Sequence, residues 1–331
     1  MSISDQWRKL AIFVCSEDRR GNLIPIGTAF LVAWDLDIGG HLTYAITNRH
    51  TIEKPGRKNI YLRINTQKGA PEDILIPPAR WRRHPKDDIA AAIVQLSDNR
   101  YETFSLPFDA LMSDEVRPAE GAGKHLYVSD IGVGDEVFYA GLFYPHTGKK
   151  RILPVLRFGH IALLASESEP VPIEWDMAGS KKVKLEVPAY LIEARSWRGF
   201  SGSPVAMYDS FSDRMRKFMA NERSREMGAI GVIGIVSHFW DYPPVDQPNQ
   251  DGPHAGMVAV SPASHIRELL TMRVFAEERK AIAKNRKEQD PRPMPASFSG
   301  SPMPQTEDKS TTALKRASRK TSRSGREQDS K

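Results

Sequence analysis

The stretch RGFSGSPVAM, residues 198–207, decides how this chain is read. It sets Ser201 between two glycines, Gly199 and Gly202, and closes with a proline, Pro204. Glycines there let the backbone turn tightly enough to aim two N–H groups at one point, and a serine on such a turn can attack a carbonyl. The same core, FSGSP, recurs in ASFSGSPMPQ, residues 296–305. That second serine, Ser299, is followed closely by Pro302 and Pro304 and has no apolar strand or helix beside it. A nucleophile needs a fixed base and fixed oxyanion donors, so the inner copy is the candidate and the outer one is a coincidence of composition.

The inner copy lies between two apolar β-segments, 189–194 and 229–239. More such segments precede it, among them 10–17, 28–34, 42–47, 60–65, 88–96, 135–142 and 153–165. Val, Ile, Phe and Tyr dominate them, and Gly, Pro, Asp and Asn punctuate them, so the expected class is all-β, barrel or sandwich. Residues 97–125 read as a connection between two β-halves, and the charged stretch 208–227 as a surface insertion. From Ser261 the pattern changes. Ser261 is expected to cap a helix with Pro262 at its first position, and Ile266, Leu269, Leu270, Met272 and Phe275 put apolar groups largely on one face.

Charge is unevenly spread. Residues 276–331 hold 14 Lys and Arg against 8 Asp and Glu, which accounts for the whole net charge of +6. Residues 288–331, rich in Pro, Ser, Lys and Arg, are expected to be disordered because they cannot bury enough apolar surface to offset their ordering entropy. A basic tail of this kind suits unspecific contact with nucleic acid or another polyanion, without base stacking, since Phe298 is its lone aromatic. The single cysteine, Cys15, excludes an internal disulfide. The apolar run at residues 11–15 is too short for a signal-peptide core, and no stretch suits a membrane helix. A soluble cytoplasmic protein is expected.

Two further residues complete a constellation with Ser201. ITNRH (46–50) puts His50 at the end of an apolar strand, and DIAAAIVQL (88–96) puts Asp88 at the start of another. Ser, His and Asp are the parts of an acyl-transfer triad. With their surroundings they resemble the trypsin-like (chymotrypsin-fold) serine peptidases, especially bacterial members without disulfides and HtrA/Deg-type protease domains. GTAFLVAW leading to YAITNRHTI resembles the family's histidine segment, and DIAAAIVQL its aspartate strand. VGDEVFYAGL and RFGHIALL resemble the start of the second barrel, and RGFSGSPV the serine loop. IGVIGIVSHF resembles the strand lining the substrate pocket, and AGMVAVSPASHIRELL the last strand and closing helix. The likeness runs from about residue 10 to about residue 272, with His50, Asp88 and Ser201 in the family's order.

The resemblance implies a double six-stranded antiparallel β-barrel. The first barrel spans about 8–100 and the second about 125–262, with a closing helix over about 262–285. The peptidase domain would be 1–272 and the tail 288–331. Ser201 would be the nucleophile, His50 the general base and Asp88 its orienting partner, Asp87 being the rival that the D-I-A pattern sets aside. Backbone N–H groups of Gly199 and Ser201 would form the oxyanion hole, and Arg195, Ser237, His238 and Phe239 the substrate pocket. Neither metal nor cofactor is implied, and the partner is a peptide or protein substrate.

The chain also departs from the family. Arg49 precedes His50 where a small residue is usual, and is expected to point to solvent. Phe200 replaces the acidic residue of zymogen-activated members, so activation by cleavage is not expected. Arg195 at the pocket floor would favour an acidic residue, and Phe239 would narrow the pocket. The α/β-hydrolase alternative fails, because position 203 is Ser rather than Gly and alternating helices are absent. A silent protease-fold scaffold that binds peptides or nucleic acid is the competing class. The complete triad with both glycines argues against it.

Overall fold

The computed structural model describes residues 3–53, 59–97, 99–112, 131–177, 181–194, 198–208, 231–241 and 254–289. Arg195, nearly all of the 208–227 insertion, the connection beyond residue 112 and the tail from residue 290 lie outside them.

A short helix α1 (Gln6–Leu10) leads into the first half. Its strands are β1 (Ala11–Glu17), β2 (Leu23–Asp35), β3 (His41–Thr47), β4 (Ile60–Asn65), β5 (Pro71–Ile76), β6 (Arg82–Arg83), β7 (Ala90–Val94) and β8 (Leu106–Pro107), with helix α2 (Arg49–Glu53) after β3. They form one sheet in the order β5-β4-β1-β2-β3-β7-β6, and β8 runs parallel to β2. Six of these strands have five residues or more, and β6 and β8 are two-residue additions.

The second half holds β9 (Glu136–Gly141), β10 (Val155–Leu163), β13 (Tyr190–Glu193), β14 (Pro204–Met207), β15 (Val232–Asp241) and β16 (His254–Pro262). These six close into a barrel in the order β10-β13-β16-β15-β14-β9. A separate hairpin, β11 (Val171–Met177) with β12 (Lys181–Val187), rises between β10 and β13. The all-β class is that expected from the sequence, and the six-stranded second barrel is that implied by the resemblance; the first half is a further sheet of eight strands, antiparallel but for the β2–β8 pair. Among the described residues no helix is long and apolar enough to cross a membrane.

Successive side chains of a strand point to opposite faces, and most of these strands are apolar on both because each face meets a core. In β2, Ala29 and Leu31 enter the core of the first half, while Phe30 and Val32 enter a second core. In β9, Val137 and Tyr139 fill the barrel, while Phe138 turns to that same second core. This shared core also receives Trp7, Tyr44, Ile46, Ala206 and Val232, and so binds the two halves together. Trp7 meets Phe138 edge-on at 4.8 Å.

The C-terminal helical segment is two helices, α3 (Ala263–Thr271) and α4 (Arg273–Gln289), separated at Met272, whose ψ of 147° is extended. Ile266, Leu269 and Leu270 of α3 and Phe275 of α4 enter the shared core as the spacing implies, but Met272, expected on the same face, is 37% exposed, because the extended break there interrupts the helical period. The helix start differs from expectation. Ser261 still belongs to β16, Pro262 occupies the cap position, and no side chain caps the helix. The Ser261 hydroxyl instead donates to Asp87 at 2.7 Å.

Two outcomes follow from the packing. Phe138→Ala should lower stability by about 3–5 kcal/mol in urea titration, because a fully buried ring leaves a cavity where both halves meet. Burial pushes the Cys15 thiol up to about 12, so at pH 8 the folded protein should not react with Ellman's reagent, and the urea-unfolded chain should.

Candidate active site

The pairing of β3 with β7 builds the first part of the site. Thr47 stands opposite Ala90, so the residues just after β3 face those just before β7. The buried Asn48 donates its side-chain amide to the Asp88 carbonyl at 2.9 Å, and the Arg49 N–H donates to the same oxygen at 3.2 Å. These bonds hold the two connections together where His50 meets Asp88. The Asp88 carboxylate grips His50 twice, with Oδ2 2.5 Å from Nδ1 and Oδ1 accepting the His50 main-chain N–H at 2.8 Å. Ser237 of β15 donates its hydroxyl to Asp88 Oδ2 at 3.3 Å. Asp88 is 1% exposed and His50 8%. With Nδ1 committed to Asp88, the imidazole is oriented, and Nε2 has no partner among the described residues.

The second part is the turn carrying Ser201. Gly199 has φ +110° and Gly202 φ +91°, where other L-residues are strained. Space forbids a side chain as well. A Cβ on Gly202 would lie 1.9 Å from the Thr28 carbonyl oxygen, and one on Gly199 2.9 Å from that of Leu142. The turn is pinned from both halves. Thr28 of β2 donates its N–H to the Ser201 carbonyl at 2.9 Å and its hydroxyl to the Gly199 carbonyl at 2.8 Å. The same hydroxyl accepts the Leu142 N–H at 2.9 Å. Gly202 donates to the Val236 carbonyl at 2.9 Å, and Val236 donates back to Ser203 at 2.9 Å. Phe200 is fully buried, edge-on to Tyr139 at 5.4 Å, the apolar role its replacement of an acidic residue implies.

These contacts bring Ser201 to the corner that holds His50. Thr47, three residues before His50, bonds the Thr28 carbonyl at 2.7 Å, and a Cβ on Gly202 would meet its Oγ1 at 2.7 Å. On the other side, a Cβ on Gly27 would touch Thr51 at 2.8 Å and the Ser201 carbonyl at 3.3 Å. No direct hydrogen bond joins Ser201 to His50. Among the described residues, Ser201 Oγ and the N–H groups of Gly199 and Ser201 have no partner.

Of the expected pocket residues, Ser237 is buried and engaged with Asp88, while His238 and Phe239 are half-buried on β15. Their rings lie 6.4 Å apart, and His238 meets Trp240 edge-on at 5.1 Å. Arg195, and with it the acidic preference, falls outside the described residues.

Three features were not legible in the sequence. Arg49 does not run out to solvent; it pairs with Glu53 at 2.8 Å and lies over the Trp175 ring at 5.9 Å. Trp175 of the β11–β12 hairpin is buried with its ring 6.2 Å from that of His50. Asp87 is turned away from His50, toward His265 of α3 at 2.7 Å. The contacts of Trp175 and of Asp87 join segments far apart in the chain, Asp87 and His265 by 178 positions, so no local spacing signals them; only the Arg49–Glu53 pair is local, at i, i+4.

No family model matches this chain, and no curated protein matches it. Among solved structures, it is similar to the Rv3671c protease from M. tuberculosis in its active form. That match covers 80% of this chain and 80% of that one, at 16% identity and a TM-score of 0.42. The inactive form of the same protease matches over 80% of this chain and 88% of that one, at 16% identity and a TM-score of 0.38.

Thr28→Val should destabilise the protein by about 1–3 kcal/mol in urea titration, since it leaves the buried Gly199 carbonyl and Leu142 N–H unpaired. Thr28→Ser, which keeps the hydroxyl, should restore most of the loss.

Proposed function

We propose that this protein is a serine endopeptidase in which Ser201, His50 and Asp88 form the catalytic triad. The observation that carries the reading is the double grip of a buried carboxylate on a histidine whose other ring nitrogen is unpartnered, at a corner shared with a glycine-flanked serine. His50 Nε2 takes the proton of Ser201 Oγ as that oxygen attacks the scissile carbonyl, and later delivers it to the leaving amine. Asp88 keeps the Nδ1 proton in place and stabilises the imidazolium as it forms. The tetrahedral intermediate needs N–H donors that are not already spent. The N–H groups of Gly199 and Ser201 meet this need among the described residues, and one such donor is typically worth about 100–1000-fold in rate. The acyl-enzyme is then hydrolysed by water along the same path.

The substrate in this reading is a peptide or protein strand that lies along β15 at Ser237–Phe239. A single, buried cysteine suits a cytoplasmic setting, which is part of the proposal.

Labelling with a fluorophosphonate probe, mapped by mass spectrometry, tests the reading. Modification is expected at Ser201 and nowhere else. It should vanish in Ser201→Ala and His50→Ala, and fall by about four orders of magnitude in Asp88→Asn, where the imidazole is held in the wrong tautomer. A purified, folded protein that the probe leaves unmodified in the presence of peptides would turn the reading toward a binding scaffold.

A further inference from the structure

Two carboxylates stand side by side in the connection before β7, and both are buried, Asp87 at 0% exposure and Asp88 at 1%. Asp88 faces His50. Asp87 faces the opposite way, with Oδ2 2.7 Å from His265 Nδ1, and its Oδ1 accepts the Ser261 hydroxyl at 2.7 Å. Asp87 Oδ1 also accepts the main-chain N–H of Asp88 itself, at 2.6 Å. The orientation of Asp88 is thus tied to the end of β16 and to the first turn of α3.

Other ionisable groups surround His265. The His84 ring, from the segment after β6, stacks on it at 4.8 Å and 14°. His84 Nε2 lies 3.1 Å from Glu268 Oε2, one turn along α3. Glu167, after β10, approaches His265 Nε2 at 3.6 Å from solvent. Burial holds His84 below the usual histidine range. Burial also pulls His265 down. The hydrogen bond and charge of Asp87 outweigh it, helped by Glu268 and Glu167, and His265 ends above the usual range.

Adjacent buried carboxylates repel, and each needs a counter-charge or donors to stay ionised. His50 cannot neutralise Asp88 in the resting site, because a general base must be uncharged. The missing positive charge is available on the other flank. We propose that Asp87 and His265 form a buried ion pair that positions Asp88 and cancels the neighbouring carboxylate, so that α3 sets how readily His50 takes a proton. This inference rests on the reading of Ser201, His50 and Asp88 as the catalytic groups. Asp87 and His265 touch no reacting atom and are positioning residues.

The pair makes a prediction that a merely structural role would not. Removing the cation leaves the Asp87 carboxylate uncompensated beside Asp88 and should raise the His50 titration midpoint. Removing the anion as well takes away that excess negative charge and should bring the midpoint back. The measurement is an NMR titration of the His50 ring, assigned with His50→Ala, in the full-length wild type, His265→Gln and the double variant His265→Gln/Asp87→Asn, with melting curves to confirm folding. His265→Gln should move the midpoint up by about half a pH unit or more, and the double variant should return it toward the wild type. The acidic limb of fluorophosphonate labelling at Ser201 should move with it. A midpoint that stays put or falls in His265→Gln, or that the double variant leaves raised, overturns the ion pair. Should the double variant fail to fold, the direction of the His265→Gln shift decides alone. A raised midpoint in a protein that never labels would sink the peptidase reading and leave the ion pair standing. Normal wild-type labelling with an unmoved midpoint would do the reverse.

Discussion

Thr28 is the point at which the two halves of this protein become one site. Its main chain belongs to β2 of the first half, yet its N–H and hydroxyl hold the Ser201 and Gly199 carbonyls, and its Oγ1 also takes the N–H of Leu142. A second link runs through β15, where Val236 is bonded to Gly202 and Ser203 and the next residue, Ser237, to Asp88. The Thr28 carbonyl, in turn, accepts from Thr47, three residues before His50. A hydroxyl that accepts one buried N–H and donates to one buried carbonyl satisfies both, so it rigidifies both partners without leaving either unpaired. The two glycines matter for the same reason. At Gly202 any side chain would collide with the Thr28 carbonyl, so the close approach that fixes the turn also dictates its composition.

The charge arrangement around this corner is unusually concentrated. Asp87 and Asp88 are consecutive and both buried, and each is matched to a different histidine on a different side. Burying one carboxylate costs several kcal/mol unless hydrogen bonds and opposite charge replace water. Here Asp88 receives the His50 main chain, the His50 ring and Ser237, while Asp87 receives the Asp88 main chain, Ser261 and His265. The arrangement joins the catalytic candidate to the start of α3, whose apolar face enters the core shared by both halves. Mechanical support and electrostatic balance therefore come from the same few residues.

The hairpin β11–β12 adds a layer above the corner. It belongs to neither sheet, and its apolar side packs on Ala189 and Ala259 beside β13 and β16. Trp175 reaches from it to the His50 ring, with the Arg49 guanidinium over the indole. A buried aromatic at that position keeps water from the flank of the imidazole, which strengthens the electrostatic interactions beneath it.

Much of this was legible in the chain itself. Short runs dominated by Val, Ile, Phe and Tyr, with glycine and proline between them, determined an all-β class, because strands that serve two cores must be apolar on both faces. The D-I-A pattern singled out Asp88 over Asp87, and it is the Asp88 carboxylate that lies against His50, while that of Asp87 faces His265. The glycines around Ser201 announced a tight turn. Other features depended on contacts between distant residues. Ser261 has the local signature of a helix cap, yet its hydroxyl belongs to Asp87, 174 residues away. Arg49 has the look of a solvent-facing side chain until Trp175 arrives from the other half. Local composition determines turns, strands and register, because those depend on backbone sterics and period. Which polar groups meet inside was decided only when the two halves packed together, because burial removes water as a partner and forces each group to find another.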